Sequence, residues 1–224
     1  MTFHQGGAFC LYEALANNLL NLDMPRTQSL EPKIVRFPKD EQNWYVLVVA
    51  YRTEQKMQAK LRELGRLEAF VPLRRTRRRD AQGKFRYDEK VAINNYIFVH
   101  TTYNRLMGLK REYPFDLEYS LLHRDVYEGG EKIGRAPVIV PRDQMLNFIA
   151  VAGNQKERVQ FIDAEQIDLQ AGQRVRVVGG PFAGVEGVYL RTTKKHERRV
   201  VVKLEGIAAV ATTALPSVLV EVIE

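Results

Sequence analysis

Cysteine is nearly missing from this chain: Cys10 stands alone among 224 residues. One thiol can neither close an intramolecular disulfide nor build a cysteine metal site, and such sparing use suits a reducing compartment. Histidine is scarce as well. His4, His100, His123 and His196 are scattered and lack the HExxH spacing of a zinc hydrolase. Cys10 lies in an N-terminal extension, without the setting that a catalytic thiol needs. No glycine-rich phosphate loop opens a helix, because Gly179-Gly180 runs straight into Pro181. No apolar run approaches the roughly 20 residues that span a bilayer, and the first residues lack the basic and apolar regions of a secretory signal. These absences predict a cytoplasmic protein with no membrane contact, metal, cofactor or catalytic site; an enzyme is not expected.

What is present is an ordinary globular composition, 45% hydrophobic and 27% charged, with a net charge of +7. The length suits one large domain or two small ones. The basic balance favours acidic partners, nucleic acid above all. A disproportionate share of it sits in one place. Arg74 to Lys90 holds Arg74, Arg75, Arg77, Arg78, Arg79, Lys84, Arg86 and Lys90 against Asp80, Asp88 and Glu89, with Gly83 as a plausible hairpin turn.

Residues 1–42 read as an extension. Leu11, Leu15, Leu19 and Leu22 form a helical stripe within Ala8 to Leu22, and Pro25, Pro32 and Pro38 then break regular structure. Residues 43–152 read as an α+β domain. Trp44 to Tyr51 is apolar at both alternating positions, so that strand is covered on both sides, by helices on one and something else on the other. A helix from Thr53 to Gly65 follows, then strands at 69–72 and 96–99, a helix at 104–112, a strand at 117–122 and a helix after Pro141. The expected architecture is an antiparallel sheet with helices packed on one face. Residues 153–168 read as a polar linker. Residues 169–224 are all short strands, namely 174–178, 185–190, 199–204, 208–213 and 218–223, which predicts a small closed β-barrel.

Three segments in this order resemble the NusG family of transcription elongation factors. Trp44-Tyr45 is similar to the opening of that family's N-terminal (NGN) domain. Ile93 to Val99 is similar to its tyrosine-x-phenylalanine-valine strand. Ala171 to Gly184, with its Gly180-Pro181-Phe182 loop, is similar to the C-terminal KOW motif of an SH3-like barrel. Two departures stand out: the family's proline is Asn94 or Asn95 here, and the glycine of the general factors is Asn95. With the unusual extension, they suggest a specialised paralogue of the RfaH or UpxY type, of the kind that regulates surface polysaccharide operons.

The resemblance implies an elongation or antitermination factor that binds the clamp helices of RNA polymerase, with Val48, Tyr96 and Phe98 at the contacting positions. Tyr96 and Phe98 share a strand face; the alternative is that both are core while Ile97 and Val99 face out. The basic hairpin, with Arg52 and Arg105, would lie near upstream DNA, or else form a solvated loop. Phe182 would contact ribosomal protein S10 or the termination factor Rho, or else plug its own loop. Arg191, Lys194, Lys195, His196, Arg198 and Arg199 form a second basic tip. The chain would act as a monomer. The competing reading is a KOW-type ribosomal or structural RNA-binding protein, which leaves the 43–152 domain without a task.

Overall fold

Fifteen short strands and three helices carry the described part of the chain. The computed structural model describes residues 35–154, 156–162, 172–191, 197–204 and 206–223. The expected helix over Ala8 to Leu22, together with Cys10, His4, Lys194, Lys195 and His196, lies outside the described residues.

The central sheet grows from the apolar runs. Strands β1 (Asn43–Val48) and β5 (Tyr96–Thr101) pair antiparallel with Val46 opposite Phe98. Strand β2 (Glu68–Phe70) flanks β5, while β6 (Ser120–Leu121) and β9 (Ile139–Val140) both pair with β1. Two further hairpins stand apart from this sheet, each pairing only with itself: β3 (Leu73–Arg79) with β4 (Phe85–Val91), and β7 (His123–Glu128) with β8 (Glu131–Pro137). The first was expected, and Gly83 takes the left-handed φ of 77° at its turn. The second was not. Its strands are too polar to read as strands, although the Gly129-Gly130 pair between them is a hairpin signal.

Helix α1 (Glu54–Glu63) starts after Thr53, whose hydroxyl donates to the Ala50 carbonyl at 2.6 Å and makes no side-chain cap to the helix. Helix α2 (Tyr103–Glu112) is capped by Thr102, whose Oγ1 accepts from the Arg105 N–H at 3.1 Å. Both cover one sheet face: Tyr45, Leu47, Ile97 and Val99 form a core with Leu61, Leu106 and Leu109. The opposite face is Trp44, Val46 and Phe98. It is covered by α3 (Arg142–Ala152), through Met145, Phe148 and Val151. Helices therefore sit on both faces rather than one. Each Phe or Leu removed from water in these two layers contributes about 1.5–3 kcal/mol.

The C-terminal part is a six-stranded antiparallel sheet in the order β10-β14-β13-β12-β11-β15. Its strands are β10 (Gln160–Ile162), β11 (Gln173–Val177), β12 (Glu186–Arg191), β13 (Arg198–Leu204), β14 (Ala208–Ala211) and β15 (Val220–Val222). β10 falls inside the stretch expected to be linker, and it pairs with β14 from Gln160 opposite Ala211. Gly187 on β12 lets the neighbouring strand approach: a Cβ there would meet the Val201 carbonyl oxygen at 2.6 Å.

The two parts share a core. Val175, Val177, Val200, Val202, Leu204 and Val210 of the barrel belong to the same apolar cluster as α3 and the Trp44 face. Asn147 on α3 accepts the Glu186 N–H at 2.9 Å. Val35–Glu224 accordingly forms one compact unit. It begins ahead of the boundary expected at residue 42: Phe37 meets Tyr103 edge-on at 4.9 Å, and the Tyr45 hydroxyl donates to the Pro38 carbonyl at 3.2 Å.

Candidate functional site

The β3–β4 hairpin carries its charge in a regular pattern. Residues opposite one another share a face, and the register sets Arg75 opposite Glu89, Arg77 opposite Tyr87 and Arg79 opposite Phe85. On that face the guanidinium groups lie on the rings. Arg75 is 4.3 Å from the centre of Tyr87, while Arg77 and Arg79 are 3.2 and 4.7 Å from that of Phe85. Phe85 and Tyr87 remain 44% and 52% exposed, high values for large aromatic rings. The other face holds Arg74, Thr76, Arg78, Arg86 and Asp88, with Arg78 paired to Asp88 at 3.3 Å and Arg86 to Asp80 at 3.1 Å.

A cleft of about 490 Å³ opens between this hairpin and the segment that follows α3. Arg74, Arg75 and Arg77 line it from the hairpin, and Lys156 and Arg158 from the facing segment. Glu89 and Glu157 are the carboxylates on its wall, so cations outnumber acids five to two. Of the expected DNA-contacting residues, the cleft gathers Arg74, Arg75 and Arg77. Arg78 and Arg79 sit further out on the hairpin. Arg52 and Arg105 do not line it. Arg52 occupies the turn before α1 at φ 66°, with its guanidinium 5.1 Å from the Tyr51 ring. Arg105 is on α2 and reaches Glu112 at 3.7 Å. Lys156 and Arg158 escaped sequence reasoning because that stretch reads as linker.

The expected polymerase-contacting residues divide. Val48 and Tyr96 sit opposite each other at the end of the β1–β5 ladder, and both are half-buried. Phe98 is fully buried. Its ring lies 5.7 Å from that of Phe148 on α3, so it is not an exposed contact in this structure. The alternative reading fails too: Ile97 and Val99 are equally buried, under α1 and α2. Phe182 is also inside. A short 3-10 turn at Gly180–Phe182 folds its ring into the barrel core, where it is 1% exposed. Of the two readings of Phe182, this burial agrees with the plug and not with an exposed contact; Gly180 takes the left-handed φ of 78° at the turn. Of the second basic tip, Arg199 is held by the Thr212 carbonyl at 2.8 Å and Glu197 at 2.9 Å.

Sequence reasoning also missed Glu54, a carboxylate that is 1% exposed. Its Oε1 accepts the Asn95 N–H at 2.7 Å, and the Asn95 side chain donates to the Val49 carbonyl at 3.0 Å. Asn95 itself takes φ 68°. Asparagine tolerates that left-handed region better than most residues, so this turn does not require glycine. Burial pushes the phenols of Tyr45 and Tyr119 up.

A family model described as transcription termination factor NusG matches residues 42–149. A search of curated proteins finds no match. A solved structure of Thermotoga maritima NusG, described as showing domain interaction, aligns with 20% identity and a TM-score of 0.36, over 82% of this chain and 98% of that one. The matched family is one of transcription factors that work with RNA polymerase, not of enzymes. Among the described residues no helix is long and apolar enough to cross a membrane. Residues 42–149, a little under half of the chain, thus match the NusG family of transcription factors and form a NusG-like domain.

Proposed function

We propose that this protein binds the clamp helices of RNA polymerase through residues 43–152, reaches upstream DNA with the β3–β4 hairpin, and meets a further partner through its KOW-like barrel. The family match over residues 42–149 carries this reading. On the polymerase side, Val48 and Tyr96 form the accessible rim, and Phe98 backs them from the core. An aromatic ring held by a rigid strand is well suited to anchor an interface. On the DNA side, Arg74, Arg75, Arg77, Arg78 and Arg79 supply the positive field, and each phosphate neutralised makes binding fall with salt. On the barrel, Phe182 is occupied with packing. The exposed Val178 and Val218, brought together where the Val178 N–H donates to the Leu219 carbonyl at 2.9 Å, offer apolar surface for ribosomal protein S10 or Rho.

The test is capture of bacterial RNA polymerase core enzyme by the full chain and by its Val48→Ala/Tyr96→Ala variant. Wild type should retain polymerase, and the variant should retain at least about tenfold less, the size of one lost hot spot. Equal retention by both proteins overturns the assignment of the contact. For the DNA arm, Arg77, Arg78 and Arg79 together changed to serine should weaken upstream-duplex binding and flatten its salt dependence.

A further inference from the structure

Granted that the β3–β4 hairpin meets nucleic acid, we infer that the cleft beside it accepts an unpaired nucleotide, whose base stacks on Tyr87 while Lys156 and Arg158 hold its phosphate. Three observations converge on that chemistry. The first is size: about 490 Å³ lies within the range that ligand pockets occupy and holds one nucleotide, not a double helix. The second is composition. Flat cations interleaved with exposed rings are what base faces stack on, and that arrangement tolerates any base. Phe85 is already covered by Arg77 and Arg79, whereas Tyr87 carries Arg75 alone and lines the cleft. The third is that the opposite wall is built. The Asn154 side chain accepts the N–H groups of Lys156 and Glu157 at 3.2 and 3.3 Å and donates to the Pro181 carbonyl at 3.4 Å. The two wall cations are thus carried on a braced turn.

Charge alone would also suit an acidic peptide. The rings decide against it, because a carboxylate gains nothing from the face of Tyr87, where the ring's own electron density is negative. A base gains from both the ring and the guanidinium plane.

Equilibrium binding to full-length protein separates the cases, using a labelled 12-nucleotide single strand, the same sequence as duplex, and unlabelled mononucleotide and poly-glutamate as competitors. The strand should bind more tightly than the duplex. Tyr87→Ala should weaken strand binding roughly 5- to 100-fold, while Tyr87→Phe keeps it. Lys156→Ser/Arg158→Ser should make the log–log salt slope shallower by about 0.7, the value for one phosphate on a single strand. Tyr87 is half exposed, so thermal melts of both Tyr87 variants should match wild type. Strong displacement by mononucleotide assigns the site to free nucleotide, and weak displacement assigns it to a strand; both support the cleft. Equal binding of strand and duplex, or an unaffected Tyr87→Ala, overturns it while leaving the duplex reading of the hairpin intact. Better displacement by poly-glutamate overturns it in favour of an acidic peptide. Loss of duplex binding in an Arg78→Ser/Arg79→Ser variant, whose residues lie outside the cleft, with strand binding unchanged keeps both ideas. No duplex binding by wild type, with strand binding present, sinks the hairpin reading alone.

Discussion

Replacing Phe182 with alanine asks whether the ring is a plug or a hand. Its burial to 1% exposure, in one cluster with Val175, Val177, Val185 and Leu215, makes it core. Removing a buried phenylalanine side chain costs about 3–5 kcal/mol, the transfer term plus the cavity it leaves. The size of the thermal shift then depends on what unfolds with it. If the barrel melts alone, each kcal/mol moves Tm by about 4–8 °C, giving a drop of roughly 12–40 °C. If the whole of Val35–Glu224 melts together, about 2–4 °C per kcal/mol gives a drop of roughly 6–20 °C. Scanning calorimetry on the full chain reads both the shift and the number of transitions. The shared core predicts one transition and the smaller range. Phe182→Leu should cost less than about 1.5 kcal/mol, because it keeps most of the volume. A Phe182→Ala protein that melts within 2 °C of wild type, yet loses a barrel partner, would refute the packing argument and restore the ring to the surface.

Other outcomes follow from single contacts. Glu54→Ala leaves the Asn95 N–H without its acceptor and should cost about 1–3 kcal/mol in urea unfolding, whereas Glu54→Gln retains an acceptor and should cost less; a neutral alanine variant contradicts this role. Gly187→Ala drives a methyl into the Val201 carbonyl oxygen at 2.6 Å and the Val200 side chain at 2.8 Å, so about 1–3 kcal/mol of overpacking should appear as a lower Tm. The Tyr119 phenol is buried, donates to the Leu106 carbonyl at 2.7 Å, and is raised above the ordinary 10.0. Its neutral form is the folded one, so its contribution is complete below pH 10.0 and is lost as pH climbs above that value. Melting curves from pH 8 to 12 should therefore fall more steeply for wild type than for Tyr119→Phe; parallel curves would remove Tyr119 from the alkaline limb.

Much of the fold was readable in the chain because period and punctuation are local. The unbroken apolar run at Trp44–Val49 announces a strand covered on both faces, and Met145, Phe148 and Ile149 announce the helix that covers one of them. Periodicity does not say where that helix docks. Phe98 therefore reads as part of an open face, which α3 in fact occupies. Phe182 misled for a similar reason: a glycine-proline-phenylalanine loop states that the chain turns, not which way the ring falls. β10 carries three residues with no alternation, and its identity as a strand comes from pairing with β14, a long-range fact. The basic hairpin was legible from charge alone. The cleft beside it was not, because Lys156 and Arg158 meet Tyr87 only through the path the chain takes after α3.

Residues 153–159 are all that joins α3 to β10. Fully stretched they reach roughly 25 Å. A barrel that lets go of α3 cannot wander further than that, and it revisits its seat at an effective concentration in the millimolar range, of order that for short flexible linkers. Any molecule that claims the barrel's α3-facing surface in trans must outcompete that recapture. Lengthening the tether, with no change to either surface, should by itself make such a partner bind more tightly.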